Sequence, residues 1–257
     1  MNNKAPIGVF DSGVGGLTVL EVLQKMFPYE DFIYLADSAY CPYGIKTPNE
    51  VSSRVSVIGE EMIRRGVKAI VIACNTATAN ASSFIKTSSV PVIGVIAPTA
   101  QMAYKLSKNK KIALLATDLT VKMGVYEKEL PKVTLYSLAS SLFVPLAESN
   151  KPNSKATQQI VNSHLEPLKE KDFDTIIYGC THFGLLDKAI KKALPNRVVV
   201  ESGKPTGEEL AKVLACQNIT NDLSVLGSTN LYTTGLVDEF IKQITWFKGS
   251  FNGPFKW

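Results

Sequence analysis

Two cysteines stand at equivalent places in the sequence, each between an apolar run and polar residues. The segments AIVIACNT (69–76) and TIIYGCTH (175–182) contain them, as Cys74 and Cys180. Both segments are typical of a short buried strand that ends near the cysteine and leads into a helix. In open α/β sheets, ligands bind at the carboxyl ends of the strands. We therefore expect the two thiols to face each other across one small cavity.

A pair of opposed thiols could have several chemical roles. Redox enzymes use closely spaced cysteines such as C-x-x-C, a motif that this sequence lacks. A metal site needs four ligands, and Cys74, Cys180 and His182 supply three at most, since the only other histidine is His164. Each cysteine could also be a small apolar side chain in the core. Two cysteines that both end a strand favour a functional pair.

Acid–base chemistry on a carbon atom is the remaining role. A thiolate removes the α-proton of an amino acid, and a thiol on the opposite face returns a proton, which inverts the centre. With each sulfur about 3–3.5 Å from the carbon, the sulfurs lie too far apart for a disulfide. Asp11 could orient one thiol and His182 the other. The α-carboxylate and ammonium groups could be held by Ser12, Asn75, Thr76 and Thr181.

Strands and helices alternate along the chain, which predicts an α/β fold with mainly parallel sheets flanked by helices. The spacing between the two cysteines is about the length of one small α/β domain. The order of strand, polar end and helix occurs in both halves of the chain. We therefore expect two similar domains, residues 1–97 with 208–257 and residues 98–207, with the active site in the cleft between them.

The remaining segments predict the parts that surround these strands. Residues 7–10 predict a strand that ends at a glycine-rich turn, where Asp11 or Ser12 could cap the next helix. The segment CPYG (41–44) predicts a shaped loop, in which Cys41 is interpreted as incidental. Further predictions are helices at about 49–65, 121–130, 154–171 and 185–193, a polar break at 149–154, a late edge strand at 231–235 and a loosely held tail from Lys248.

The bulk composition excludes several protein classes. The chain has 257 residues, of which 45% are hydrophobic and 20% charged, as is ordinary for a folded globular protein. The net charge of +5 is mild and does not by itself support nucleic-acid binding. The sequence contains no apolar run of membrane-spanning length and no signal-peptide pattern. We therefore expect a cytoplasmic protein whose four cysteines stay reduced.

Five motifs spread over the chain are jointly more specific. FDSGVGGLTV, CPYG, ACNTATA, GVIAPT and GCTHFGLL together resemble the cofactor-independent glutamate racemases of bacteria. The resemblance implies two α/β domains with the active site between them, and catalysis without pyridoxal phosphate or a metal. It also implies that the product, D-glutamate, supplies peptidoglycan synthesis and so the cell wall.

The resemblance also assigns residues. It implies that Cys74 and Cys180 are the catalytic acid and base, Cys74 acting on D-glutamate and Cys180 on L-glutamate. The loop at Tyr43 and Gly44 is implied to bind the side-chain carboxylate. The implied substrate contacts are Asp11, Ser12, Pro42, Tyr43, Gly44, Asn75, Thr76, Thr117, Thr120, Thr181 and His182.

Three positions depart from the usual pattern of this family. Residues 117–120 are Thr-Asp-Leu-Thr where Thr-x-Gly-Thr is common, Gly184 stands in place of a common proline, and Glu201 stands in place of a commoner aspartate. The carboxylate of Asp118 could weaken the binding of an anionic substrate, or it could point away.

Other functions stay open at this point. A racemase of aspartate or another acidic amino acid would use the same pair of thiols, and the sequence does not measure the length of the pocket. A non-catalytic, two-lobed module that binds an amino acid would not need Cys74 and Cys180. The resemblance also implies a homodimer. Some members of the family are reported to bind DNA gyrase, a partner that nothing in this sequence specifically supports.

Overall fold

The computed structural model describes residues 3–149, 152, 154–221 and 224–257. Ten strands lie within these ranges. They are β1 (Ile7–Asp11), β2 (Phe32–Ala36), β3 (Ala69–Ile72), β4 (Val92–Gly94), β5 (Lys111–Ala116), β6 (Thr134–Ala139), β7 (Thr175–Gly179), β8 (Val198–Val200), β9 (Thr229–Thr233) and β10 (Asn252–Lys256).

Thirteen α-helices lie within the same ranges, together with three short 3-10 helices. The α-helices are α1 (Leu17–Met26), α2 (Pro48–Arg64), α3 (Asn75–Ala79), α4 (Ser82–Thr87), α5 (Ile96–Leu106), α6 (Asp118–Lys122), α7 (Val125–Glu129), α8 (Phe143–Glu148), α9 (Lys155–His164), α10 (Glu166–Lys169), α11 (Asp187–Ala193), α12 (Gly203–Cys216) and α13 (Val237–Gln243). The 3-10 helices are Ser38–Tyr40, Tyr43–Ile45 and Thr181–Leu186.

The first sheet has six strands in the order β10-β9-β2-β1-β3-β4, and all its neighbours are parallel. The central strand β1 pairs with β2, where Ile7 lies opposite Phe32, and with β3, where Ile7 lies opposite Ala69. Every residue of β1 and β3 is buried. Strands covered by helices on both faces have such continuous apolar sequences, which explains the run AIVI in β3.

The second sheet has four parallel strands in the order β6-β5-β7-β8. Its two inner strands, β5 and β7, pair from Ile112 opposite Thr175 onwards. Helices pack against this sheet as they do against the first, in separate hydrophobic clusters. The predicted α/β class with parallel sheets flanked by helices is confirmed.

Helices carry the chain between the two sheets. The predicted domain boundaries, at 97/98 and 207/208, fall inside α5 and α12, and the division itself stays a prediction. Leu210 and Leu214 of α12 pack with Leu20 and Leu23 of α1 on the first sheet, so the end of the chain returns to this sheet. Within the described ranges, no helix is long and apolar enough to cross a membrane.

The C-terminal segment is more ordered than the sequence predicts. Strand β9 lies between β2 and β10, so the prediction of an edge strand at 231–235 is wrong. The tail forms β10 instead of being loosely held, and the guanidinium of Arg65 lies 3.6 Å above the ring of Trp257. The strand was missed because Gly253 and Pro254 disfavour a central strand, whereas an edge strand accommodates proline.

Two predicted helices are interrupted. The helix at 154–171 divides into α9 and α10 at Leu165, because Pro167 in the first turn of α10 cannot donate a backbone hydrogen bond. The helix at 121–130 divides into α6 and α7 at Gly124, whose φ of +59° suits glycine best. The helices predicted at 49–65 and 185–193 are α2 and α11. In the predicted polar break, Asn150, Lys151 and Asn153 lie outside the described residues.

The carboxyl edges of the two sheets face each other, and polar contacts connect them. Strands β3 and β7 lead directly into the two cysteines. The hydroxyl of Thr181 donates to Asp11 Oδ2 at 3.2 Å, and the hydroxyls of Thr76 and Thr117 lie 2.9 Å apart. The observed fold therefore brings the residues predicted for the site to one place.

A buried ion pair lies at the opposite, amino end of the first sheet. Lys68 Nζ lies 2.5 Å from Glu30 Oε2, and the side chains are 0% and 4% exposed. Lys68 also donates to the carbonyl of Asn3, and Glu30 Oε1 accepts the backbone N–H of Asn221. The pair thus connects β2 and β3 with the N-terminal segment and with the loop before β9.

The substitution Lys68→Ala tests the contribution of this pair to stability. We expect the free energy of unfolding to fall by about 3–5 kcal/mol, because Glu30 is left buried without its cation. Urea denaturation measures the change. Lys25→Ala is the control, since it removes an exposed pair with Glu21 and should cost less than about 1 kcal/mol. Equal losses in the two variants would contradict the prediction.

Candidate active site

Cys74 is held at the start of a helix on the first sheet. It is the N-cap of α3, where its Sγ accepts the backbone N–H of Ala77 at 3.4 Å. The thiol is buried and lies 3.7 Å from Ser12 Oγ. Burial raises the pKa of Cys74, and the negative charge of Asp11 raises it further, against the opposing effect of the Ala77 N–H. Cys74 is therefore held as a neutral thiol, the form that donates a proton.

Cys180 follows β7 of the second sheet in an extended conformation, with φ −152° and ψ 135°. Its buried Sγ lies 3.7 Å from His182 Nδ1. The other ring nitrogen, His182 Nε2, lies 2.8 Å from Glu148 Oε1. The imidazole is thus placed between the thiol and a carboxylate.

The surroundings of His182 favour its charged form. Burial by itself lowers the pKa of His182, but the contacts with Cys180 and Glu148 raise it, and the pKa lies well above its ordinary value. A protonated imidazole at this distance can donate a hydrogen bond to a thiolate at Cys180. The two thiols therefore differ electrostatically, since Cys74 is close to a carboxylate and Cys180 is close to a cation.

Both thiols line one cavity between the sheets. Its volume is about 20 Å³, which is room for one water-sized sphere, so groups in the wall must shift before an amino acid can bind. Among the described residues, no group of three or more His, Cys, Asp or Glu side chains is arranged to hold a metal ion. The cavity is lined by Ser12, Cys41, Pro42, Tyr43, Gly44, Cys74, Asn75, Thr76, Thr117, Val144, Cys180, Thr181 and His182.

All but two of the residues predicted for the site are in this wall. The exceptions, Asp11 and Thr120, are fully buried behind it. The hydroxyl of Thr120 lies 3.2 Å from that of Thr76 and 2.9 Å from that of Thr117, which are both in the wall. Thr120 is therefore connected to the cavity only indirectly, through its contacts with the hydroxyls of Thr76 and Thr117.

Asp11 is bound within the glycine-rich turn and across to the second sheet. Its carboxylate accepts the backbone N–H of Gly13 at 2.9 Å and the hydroxyl of Thr181 at 3.2 Å. Burial raises the pKa of Asp11, and the positive charge of His182 opposes this rise. The predicted cap by Asp11 or Ser12 is wrong, because α1 has no side-chain cap. Asp11 acts on Cys74 through its charge, and Ser12 makes the direct contact.

Gly15 permits the close approach of the two edges. A Cβ atom at Gly15 would lie 2.4 Å from Thr181 Oγ1 and 2.6 Å from His182 Nδ1. Any side chain would therefore displace the second sheet's residues. The turn needs glycine here for the contact between the two edges.

The loop at 41–44 is fixed from behind by Asp37. Tyr43 Oη donates to Asp37 Oδ2 at 2.5 Å, and Arg54 donates two hydrogen bonds of 2.7 Å to the same carboxylate. The hydroxyl of Thr234 adds a further bond at 2.8 Å. Sequence reasoning missed this network because its donors come from three separate parts of the chain.

Cys41 lies in the wall of the cavity, and its interpretation as incidental to the chemistry stays a prediction. Burial raises the pKa of Cys41 to about 12, and the charges of Glu148 and Asp11 contribute to the rise. Cys41 is therefore a neutral thiol at physiological pH. Val144 and Glu148, both from α8, were also missed, because no motif marks this helix.

Comparison with known proteins assigns the family. Residues 7–204 match the family model described as Asp/Glu/Hydantoin racemase. A glutamate racemase of Levilactobacillus brevis is 39% identical over 242 residues, which cover 91% of this chain and 88% of the relative. The chain belongs to the Asp/Glu/Hydantoin racemase family.

Solved structures of racemases share both sheets of this fold. A glutamate racemase isoform of Bacillus anthracis matches with a TM-score of 0.92 at 35% identity, covering 98% of this chain and 97% of that one. A glutamate racemase of Francisella tularensis subsp. tularensis, solved in complex with D-glutamate, matches with a TM-score of 0.89 at 27% identity. That match covers 97% of this chain and 96% of the other.

Two departures from the usual racemase pattern contact each other. A Cβ atom at Gly184 would lie 3.2 Å from Glu201 Oε2, so the absent side chain leaves room for the longer carboxylate. In the third departure, Leu119 stands where glycine is common, and its side chain is buried in a hydrophobic cluster. Asp118 before it is exposed at the start of α6, where its backbone N–H donates to Ser141 Oγ, and it is not among the residues that line the cavity.

The two histidines of this racemase should titrate at different pH values. Burial lowers the pKa of His164, whereas the contacts of His182 hold its pKa well above about 6.5, the ordinary value for histidine. Because the folded pKa of His182 exceeds the unfolded one, its stabilising effect is complete below about pH 6.5 and is lost as the pH rises through the folded pKa. NMR titration of the ring C–H signals measures both values.

The substitution Glu148→Gln tests whether the contact with Glu148 raises the pKa of His182. Removing the carboxylate should lower the pKa of His182 and leave the titration of His164 unchanged. Two rings that titrate together near 6.5 in the original protein would contradict the assignment.

Proposed function

We propose that this protein interconverts L- and D-glutamate by moving a proton at Cα between Cys74 and Cys180. The observation that carries the proposal is that two buried thiols, supplied by different sheets, line one cavity. The similar proteins support the substrate, since the relative from Levilactobacillus brevis is named glutamate racemase and the Francisella structure contains D-glutamate. The scheme uses no cofactor, as the sequence motifs imply.

In the direction from L to D, the thiolate of Cys180 takes the α-proton. An S–H bond forms as the C–H bond breaks, and the electron pair passes into the α-carboxylate. The thiol of Cys74 then gives its proton to the opposite face, which forms the new C–H bond and leaves a thiolate. The surroundings support this direction, because burial holds Cys74 as a thiol and the charged His182 is next to Cys180.

The site must stabilise the negative charge that develops on the α-carboxylate, because an α-proton is a weak acid. The donors in the wall are the amide of Asn75 and the hydroxyls of Thr76, Thr117 and Thr181. Thr76 and Thr117 bond each other across the two sheets at 2.9 Å. A substrate carboxylate between the sheets would replace this contact with bonds to itself.

The loop at Tyr43 and Gly44 is proposed to bind the side-chain carboxylate through its backbone N–H groups. Its attachment to Asp37 keeps it in place in the wall. The D-glutamate product would supply peptidoglycan synthesis. The cytoplasmic location and the homodimer stay predictions, and nothing in the sequence or the structure specifically supports a contact with DNA gyrase.

Purified protein without added cofactor should convert either enantiomer of glutamate into the same racemic mixture. Circular dichroism of the amino acid measures the reaction, because the signal decays to zero from both starting signs. Aspartate, which is one methylene shorter, is the matched substrate and should react with a kcat/KM about 10–200-fold lower. No decay with glutamate would contradict the function, and equal turnover of aspartate would assign a broader racemase of acidic amino acids.

Cys74→Ser and Cys180→Ser test the two-thiol scheme. Each should lower kcat/KM by about 10²–10⁴-fold, because a serine hydroxyl is a far weaker acid than a thiol. Cys216→Ser is the control, since Cys216 is exposed at the end of α12 and should be dispensable. Full activity in either of the two site variants would rule out the scheme.

A further inference from the structure

Asn75, a residue of the cavity wall, carries a buried hydrogen-bond donor that has no acceptor among the described residues. It is the first residue of α3, is 2% exposed and lies in the cavity wall. Within the described part of the chain, its buried Nδ2 has no hydrogen-bond partner. A buried donor without an acceptor destabilises the folded state. A native protein that keeps such a group has a reason for it, and an acceptor supplied by a ligand is one such reason.

The oxygen of the same carboxamide is held by Tyr126. This residue lies in α7 and is fully buried, and its Oη donates to Asn75 Oδ1 at 2.7 Å. Tyr126 packs in a cluster that includes Ile112 and Leu114 of the second sheet, whereas Asn75 follows β3 of the first sheet. The hydrogen bond therefore connects the two halves of the site.

Gly124 separates the helix that follows Thr117 from the helix of Tyr126. Helix α6 ends at Lys122 and α7 begins at Val125, with Gly124 at φ +59° between them. Thr117 is the N-cap of α6 and lies in the cavity wall, whereas Tyr126 of α7 lies outside the wall and bonds Asn75.

The orientation of a carboxamide decides what it offers to a ligand. Its oxygen only accepts hydrogen bonds and its nitrogen only donates them, so a rotation of the amide exchanges the two. Because Tyr126 donates to Oδ1, the nitrogen of Asn75 is the atom left for the cavity. Rotated, the amide would present its carbonyl oxygen, which repels a carboxylate.

We propose that Tyr126 is a positioning residue that orients Asn75 so that Nδ2 donates to a carboxylate oxygen of the bound amino acid. Tyr126 lies outside the cavity wall and acts through Asn75. This inference deepens the proposed function and rests on it, since it assigns the acceptor to the substrate.

Tyr126→Phe removes the hydroxyl and keeps the ring. The KM for D-glutamate, and its Kd measured by calorimetry, should rise about tenfold, which is the effect of losing one hydrogen bond. The value of kcat should fall by a smaller factor than KM rises, because the substrate carboxylate is already charged in the ground state and gains only further charge in the transition state. Unchanged KM and Kd in this variant would overturn the proposal.

Tyr178→Phe is the matched control. Tyr178 is also buried, and its hydroxyl donates to Asp187 at 3.1 Å, away from Asn75. This variant should lose stability as Tyr126→Phe does, as measured by the unfolding temperature, but should keep its KM. Equal rises of KM in the two variants would overturn the proposal, because they would show a general effect of removing a buried hydroxyl.

A double-mutant cycle tests whether Tyr126 acts through Asn75. In an Asn75→Ala background, the further change Tyr126→Phe should raise Kd no more, because the carboxamide that it orients is absent. Full additivity of the two substitutions would overturn the proposal.

Calorimetry measures the binding of D-glutamate independently of its racemisation, so the role of Tyr126 and the proposed function can be tested separately. Original protein that binds D-glutamate without racemising it would contradict the function, and the comparison of Kd values would still decide the role of Tyr126. Normal racemisation with an unchanged Kd in Tyr126→Phe would overturn the positioning role alone. Original protein that does not bind D-glutamate would contradict both.

Discussion

The close approach of the carboxyl edges of two parallel sheets is the constraint on which the site depends. The edges are joined by the bond between Thr181 and Asp11 and by the contact between Thr76 and Thr117. Gly15 permits the approach by lacking a side chain. In the narrow space that results, water is largely excluded, and charges act on one another more strongly than they do at a surface.

The same burial makes the two thiols unequal. Cys74 loses hydration and faces the charge of Asp11, so its neutral form is favoured. Cys180 is next to an imidazole that Glu148 helps to keep protonated. A proton transfer that runs in both directions needs one partner with a proton and one without. The fold gives the two thiols different charged neighbours, a carboxylate near Cys74 and an imidazolium next to Cys180.

Residues behind the cavity wall determine how its polar groups point. Asp37 holds the hydroxyl of Tyr43, and Tyr126 holds the amide oxygen of Asn75. Neither Asp37 nor Tyr126 is itself in the wall.

The sequence by itself determined the parallel α/β fold and the positions of Cys74 and Cys180. A buried strand and its polar end are local patterns, and the periodicity and backbone preferences of neighbouring residues encode them. The places of Glu148 and Tyr126 were decided only by the tertiary structure, as was the pairing of the C-terminal strand with β9. These contacts join residues that are distant along the chain, and they arise from tertiary packing, which no local pattern records.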